Sequence, residues 1–333
     1  MKKIAVEEHF STFELGEIRK AWTKRIGQDV EQNPEAGMQL VRVLSDFESF
    51  RLPQMDACDI TKQVVSTSSP SVQGILDSSE AVEKAERIND LLYERIQRHP
   101  DRFAGFATLP MQAPKEAASE LERCVKKLGF KGALIHGHTN FEYPDEQKFW
   151  PVWEAAAALD VPIYLHPNEP DPKQTELYRG YPEMRGATWV WGIETGTMAL
   201  RIVLSGIFDA FPEAKLIVGH LGENIPYGLW RFQSHWAKAV SGGGPDEIKQ
   251  RVKLKKSPTD YFRNNVWITT SGNFSVPALK CAAEVLGPER ILFAVDYPFE
   301  ECAEASDFIE NADIPERYKQ MICFDNAKEL LKL

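Results

Sequence analysis

The sequence predicts an α/β chain whose strands close into an eight-stranded parallel barrel wrapped by helices. Three observations carry this expectation. Apolar runs of strand length recur eight times along the 333 residues. Segments with helical spacing lie between them, the alternation that produces parallel sheets. Acidic and histidine side chains collect where those runs end, the face on which a (β/α)8 barrel builds its active site. An open, doubly wound sheet is the competing architecture. It is weakened because no G-x-G-x-x-G follows the first run.

The first run is "KIAVEEHF" (3–10). A polar stretch follows, and we read 11–50 as a long loop over the barrel mouth, too long for an idle connection. The next runs are "KQVVSTSS" (62–69), "RFAGFATLP" (102–110), "KGALIHG" (131–137) and "PIYLHP" (162–167). "KLIVGHLG" (215–222), "VWITTSG" (266–272) and "ILFAVDYPF" (291–299) complete the set. Each is rich in β-branched and aromatic residues and ends at turn residues.

The helical segments obey start and stop rules. "SSEAVEKAERINDLLYERIQRHP" opens on serine and stops at proline, and "APKEAASELERCVKKLG" runs from proline to glycine. "DEQKFWPVWEAAAALD" follows the same grammar, with Pro151 expected to bend it or delay its start. "ETGTMALRIVLSGIFDAFP", "PALKCAAEVLG" and the closing "DNAKELLKL" supply further helices. No repeat divides the chain, so 1–333 is read as one domain, with a second long loop, 168–190, over the mouth.

Composition narrows the function. A net charge of −10 argues against nucleic acid or an anionic membrane as partner. An anionic substrate then needs a local cation to hold it. The five cysteines form no C-x-x-C pair, which reads as a reduced, cytoplasmic protein without a disulfide framework. No signal-peptide pattern opens the chain, and no apolar run is long enough to span a bilayer.

The histidines are the informative set. His9, His136, His166 and His220 fall at or near the ends of four runs, His138 lies just beyond one, and Asp296 sits at the same end of the eighth. Residues i and i+2 of a strand share a face, so Glu7 and His9 point together into the mouth while Glu8 points away. A buried carboxylate is costly, and a metal is one of the few ways to remove the cost. Glu7, His9, His166 and Asp296 make a mixed oxygen and nitrogen donor set suited to one Zn²⁺ or Mn²⁺. Taken singly, each reads better as a loop cap or a satisfied core residue; four at one end of separate strands favour the metal.

"GHLGENIPYGLWR" (219–231) adds a second constellation. Glu223 lies three residues after His220 and can set its tautomer and basicity, making His220 a candidate acid/base. Glu223 reads about as well as an acidic residue complementing a helix start. Arg231 is a candidate clamp for a substrate carboxylate, and equally a surface arginine. His138 and Asn140 in the fourth rim loop are candidate substrate contacts or simply polar. Phe299 is a candidate wall of a flat pocket.

In order along nearly the whole chain, "VEEHF", "YLHPNEP", "GHLGE", "ILFAVDYPFE" and "NAKELL" resemble the amidohydrolase-related, metal-dependent decarboxylases, above all those acting on γ-resorcylate and 2,3-dihydroxybenzoate. The resemblance implies a distorted (β/α)8 TIM barrel of the amidohydrolase type with one divalent metal, assembled as a homodimer or homotetramer. It places metal ligands at Glu7, His9, His166 and Asp296, the His–Glu pair at His220 and Glu223, the helix arginine at Arg231 and the aromatic of the D-x-P-F motif at Phe299. Asp296 would deliver a proton to carbon. E-x-H at the first strand, rather than the H-x-H of many hydrolases, points to the decarboxylase branch. Departures from the resorcylate decarboxylases fall at His136, His138, Asn168 and Tyr297. The implied reaction is non-oxidative decarboxylation of an ortho-hydroxybenzoate, a small aromatic acid, to a phenol and CO2. The alternative is hydrolysis of an amide or lactone with Asp296 as base.

Overall fold

The computed structural model describes residues 1–27, 34–249 and 253–333. Its strands are β1 (Lys3–Phe10), β2 (Ile60–Thr67), β3 (Phe103–Gly105), β4 (Ala107–Thr108), β5 (Ala133–His136), β6 (Pro162–His166), β7 (Lys215–Val218), β8 (Val266–Thr269) and β9 (Ile291–Leu292). They pair in parallel as β1-β2-β3 and as β4 through β9 in sequence order. β3 and β4 are two pieces of one strand broken at Phe106, whose N–H donates to Val65 O at 2.9 Å. Lys131 N–H donates across the same break to Gly105 O at 2.8 Å.

The other seam joins the first strand to the last. Val6 N–H donates to Phe293 O at 3.2 Å, Asp296 N–H to Glu7 O at 2.9 Å and His9 N–H to Tyr297 O at 2.8 Å. The eighth run therefore does not form the long strand expected over 291–299; only Ile291–Leu292 lies in a regular ladder. β1 is the cause. Its pairing with β2 shifts between Ala5 and Glu8, where it carries one residue more than its neighbour. Such a bulge bends a strand and re-aims its side chains, and bulges favour barrel rims and active sites.

Alternation sorts the core into two parts. Ile4, Val6, Val64, Phe106, Leu134, Tyr164, Ile217, Leu292 and Ala294 form one cluster inside the ring, closed below by Ala327, Leu330 and Leu331 of the terminal helix Asn326–Leu331. The larger cluster joins the outward strand faces to the surrounding helices. Pro151 stands in the first turn of Trp150–Leu159, where its missing N–H costs nothing. Asp77, not the serine after it, caps Ser78–Gln97 by accepting the Glu80 N–H. The stretch 11–50 is not an open loop: it carries the helices Phe13–Arg25 and Pro34–Ser45. Thr12 caps the first by accepting the Leu15 N–H at 3.2 Å. The second long connection is irregular, with short turns at Pro172–Tyr178, Pro182–Met184 and Gly186–Thr188. Among the described residues no helix is long and apolar enough to cross a membrane.

Glu8 faces away from Glu7, as alternation requires, into a buried network. Val295 N–H donates to its Oε1 at 2.9 Å and Gln63 Nε2 to its Oε2 at 3.1 Å. Gln63 in turn accepts from Arg51 Nη1 at 3.1 Å, and Arg51 Nη2 donates to His9 O. The fully buried Arg51 guanidinium lies over the rings of Phe47 and Tyr297. Burial pushes the Glu8 carboxyl up to about 8, against the Val295 N–H and the Arg51 charge, which pull it down. The network thus ties the helix-bearing insertion to the backbone of the strand that holds Glu7 and His9.

Removing one member of a buried charged network strands the others without water. Arg51→Met is expected to cost about 3–5 kcal/mol of folding stability. Urea denaturation of the two proteins measures it, and a loss below about 1 kcal/mol would show that the network carries no such weight.

Candidate active site

The inward layer above the barrel core is polar. Ligand atoms of Glu7, His9, His166 and Asp296 all lie within 4.8 Å of one another. His9 Nε2 is 2.9 Å from Asp296 Oδ1, and His166 Nε2 is 3.5 Å from Glu7 Oε1. Glu7 and His9 are fully buried.

The two oxygens of Glu7 have different fates. Oε2 accepts from the hydroxyls of Tyr164, Ser271 and Thr269, the last at 3.2 Å. Oε1 has no hydrogen-bond partner, nor has Asp296 Oδ1, and neither ring nitrogen of His9 makes an aligned hydrogen bond. Buried polar atoms are rarely left so, and here they converge on one point. Two carboxylates and two imidazoles with free donor atoms match one divalent ion in charge and ligand type. Gly219 makes room for this: a Cβ there would lie 2.9 Å from Glu7 Oε2 and fill its cradle.

Two of the four are held from behind. His166 Nδ1 lies 2.8 Å from Pro167 O, leaving Nε2 to face the cluster. Asp296 is placed by its N–H bond to Glu7 O, at φ +80°. Burial opposes charge on Asp296, but the neighbouring His220 and His9 imidazoles outweigh it and bring the carboxyl well below its usual range.

His220 and Glu223 stand at the rim. His220 Nδ1 is 2.8 Å from Glu223 Oε1, and its Nε2 is 3.8 Å from Glu7 Oε1 and 4.0 Å from Asp296 Oδ2. Burial disfavours the imidazolium, yet the charges of Glu223 and Glu7, the nearby Asp296 carboxylate and the hydrogen bond to Glu223 override it, so the pKa rises well above 6.5. The helix begins only at Ile225, so Glu223 precedes it and its carboxylate goes to the histidine. His220, Leu221 and Glu223 all adopt φ between 52° and 57°. Left-handed backbone in three non-glycine residues of one turn is costly and recurs where function fixes a side chain.

Other expected residues are placed differently. Phe299 lies beside the cluster, its ring 5.5 Å from that of His9 and about half exposed. His138 is spent on the scaffold: Nε2 donates to Glu169 O at 2.8 Å, and Nδ1 accepts the Phe141 N–H at 3.2 Å. Asn140 accepts from Arg25 Nη2 at 3.3 Å. Both stitch loops together rather than opening onto the cluster. Arg231 is exposed on the helix Ile225–Lys238 and lines a groove of about 760 Å³ with Phe232, Trp236 and Leu254, none of them a site residue. Sequence reasoning passed over Tyr164, Thr269 and Ser271, though spacing by two from His166 and within "TTS" marks them as inward-facing.

Burial and the neighbouring His9 lower the His166 pKa from 6.5 to about 4. The unfolded chain therefore takes up a proton on this ring before the folded chain does. The ring's contribution to stability is complete above 6.5 and is lost as pH falls toward 4. Protons compete for the same nitrogen that would bind a metal, so occupancy is expected to fall in the same direction. Elemental analysis after dialysis at stepped pH checks this. At neutral pH His166→Ala and Asp296→Ala are each expected to lose most of the metal; full occupancy in both would remove the cluster as the site.

Comparison with known proteins agrees with this geometry. The family model described as Amidohydrolase matches residues 38–333. The chain is 41% identical to γ-resorcylate decarboxylase of Polaromonas over 99% of its own length and 98% of the relative's. It is 39% identical to the enzyme of the same name from Rhizobium radiobacter over the same shares. Among solved structures, a dihydroxybenzoic acid decarboxylase from Polaromonas with bound manganese and the inhibitor 2-nitroresorcinol superposes with a TM-score of 0.88 at 40% identity, covering 100% of this chain and 97% of that one. A manganese-bound 5-carboxyvanillate decarboxylase from Novosphingobium aromaticivorans gives 0.91 at 33% identity over 100% and 96%. Matched by that model over most of its length and by relatives from end to end, the chain belongs to the amidohydrolase family.

Proposed function

We propose that this protein is a carboxy-lyase that removes CO2, without oxidation, from an ortho-hydroxybenzoate of the γ-resorcylate kind. The observation that carries this is the convergence of unpartnered buried atoms of Glu7, His9 and Asp296 beside the His220–Glu223 pair. Full-length likeness to γ-resorcylate decarboxylases supports the same reading. Glu7, His9, His166 and Asp296 would hold one divalent ion, manganese as in the related structures, or zinc. When bound, the ion supplies positive charge that gathers the carboxylate and adjacent phenol oxygen of the acid and makes that phenol more acidic.

The chain's own residues then move one proton. Asp296 faces the mouth with Oδ2 near His220 Nε2. Ionised in the free protein, it holds no proton, so it takes one from the acidified phenol as substrate enters and passes it to the ring carbon bearing the carboxylate. The electron pair of the breaking carbon–carbon bond returns to the ring as CO2 leaves, and the proton stays on carbon. His220, kept positive by Glu223, sits against the substrate oxygens and offsets their charge. Phe299 flanks the ring.

Arg231, exposed on its helix, would serve the substrate carboxylate of a neighbouring subunit. Tyr227 and Trp230, 91% and 81% exposed on the same helix, are the kind of surface an assembly covers. A homodimer or homotetramer in the cytoplasm is the corresponding expectation, in keeping with five free cysteines. Light scattering that finds a stable, active monomer refutes the assembly.

Reaction in D₂O tests the chemistry. A hydroxybenzoate is expected to give a phenol deuterated at the one carbon that carried the carboxylate, read by mass and proton NMR. Turnover of amides or lactones with no CO2 from any hydroxybenzoate would move the assignment to hydrolysis. Glu223→Gln is expected to keep its metal while kcat falls by about 10–100-fold. An unchanged rate across pH would remove the pair from the mechanism.

A further inference from the structure

The ligand histidine that ends β6 has a neighbour the proposed chemistry leaves unused. His136 ends β5 and pairs directly with His166 in the ladder. It is fully buried. One side chain clamps its backbone on both sides: His136 N–H donates to Gln73 Oε1 at 2.7 Å, and Gln73 Nε2 donates to His136 O at 3.1 Å. The imidazole is left facing inward, edge to face with His166, the ring centroids 5.1 Å apart.

The distances assign the hydrogens. His166 Nδ1 is 2.8 Å from Pro167 O and 3.3 Å from His136 Nδ1. A carbonyl only accepts, so His166 carries its hydrogen on Nδ1. One hydrogen fits between two facing ring nitrogens. The His136 Nδ1 is therefore a lone pair, and the hydrogen of that ring is on Nε2. The consequence falls on the far edge of His166. With Nδ1 protonated, the Nε2 that faces Glu7 Oε1 is a bare lone pair, the form that ligates a metal.

We propose that His136 is a positioning residue for the metal site: its Nδ1 shares the His166 Nδ1 hydrogen with the Pro167 carbonyl and holds the ring in the tautomer and orientation that present Nε2 to a divalent ion. The inference rests on Glu7, His9, His166 and Asp296 being that ion's ligands. Pro167 is the next residue in the chain and moves with His166. His136 comes from the adjacent strand with its backbone fixed by Gln73, so it sets the ring against an independent part of the barrel. Outer partners of this kind are worth about 10–100-fold in metal affinity.

Mn²⁺ binding to the purified protein, followed by loss of the free-ion EPR signal, tests this with His136→Asn and His136→Leu. Asparagine restores an acceptor oxygen near the Nδ1 position; leucine fills similar space without one. His136→Asn is expected to bind within about threefold of wild type and His136→Leu at least about tenfold more weakly. Circular dichroism and thermal unfolding of the metal-free proteins establish that both fold. Equal affinities for the two variants, whether both near wild type or both weakened, overturn the proposal. A second measurement needs no variant: ¹⁵N NMR of histidine-labelled, metal-free wild type is expected to show His166 as the Nδ1–H tautomer, and the Nε2–H tautomer overturns the proposal. Wild type that binds no Mn²⁺ takes down the metal reading itself, an outcome distinct from equal affinity of the variants.

Discussion

A carboxylate sealed from water stands at the floor of the barrel mouth, and the surrounding structure follows from its two unlike sides. Charge at such depth is tolerated only where partners replace the lost hydration. Glu7 divides the task. Three hydroxyls on β6 and β8 or just beyond satisfy Oε2, and Oε1 is reserved for the converging ligands. Tyr164 therefore has two roles, as a core ring among the interior apolar side chains and as a donor to the site. Gly219 must lack a side chain for the same reason. The apolar plug and the polar layer above it are one packing problem, and a change in either is felt in the other.

The rim is built on different terms. His220, Leu221, Glu223 and Asp296 adopt backbone that favours glycine, at about 1–3 kcal/mol each. Such strain persists because the regular strands below over-determine the turns. The reward is directional: His220 reaches Glu223 with one nitrogen and turns the other toward Glu7 and Asp296. A relaxed turn at either position would aim these groups elsewhere.

Much of this was legible in the sequence, for identifiable reasons. β-branched runs marked the strands, and the two-residue period aimed Glu7 and His9 inward and Glu8 outward. The spacing of His166 and Asp296 from their strand starts brought the ligands to one end. Illegible was whatever depends on partners far away in the chain. Neither the β1 bulge nor the shortening of the last strand has a residue signature. The helices within 11–50 were hidden by charge, although Leu15, Ile18 and Trp22 keep helical spacing. His138 has the right chemistry at the right strand end, but Glu169 and Phe141 consume both its nitrogens. Arg231 has the right fork but stands exposed on its helix, and spacing alone does not say what it meets.

The seam between β1 and the last strand gives the site a place in the life of the molecule. Asp296 is synthesised long after Glu7 and His9, and the Asp296 N–H to Glu7 O bond joins them. A nascent chain that has not reached Asp296 lacks one of the four converging groups and the bond that closes the seam on it. An ion held by all four groups would bind only after Asp296 is made, and would add its binding energy to closure itself. Such an ion would act as the clasp of a necklace as well as a reagent.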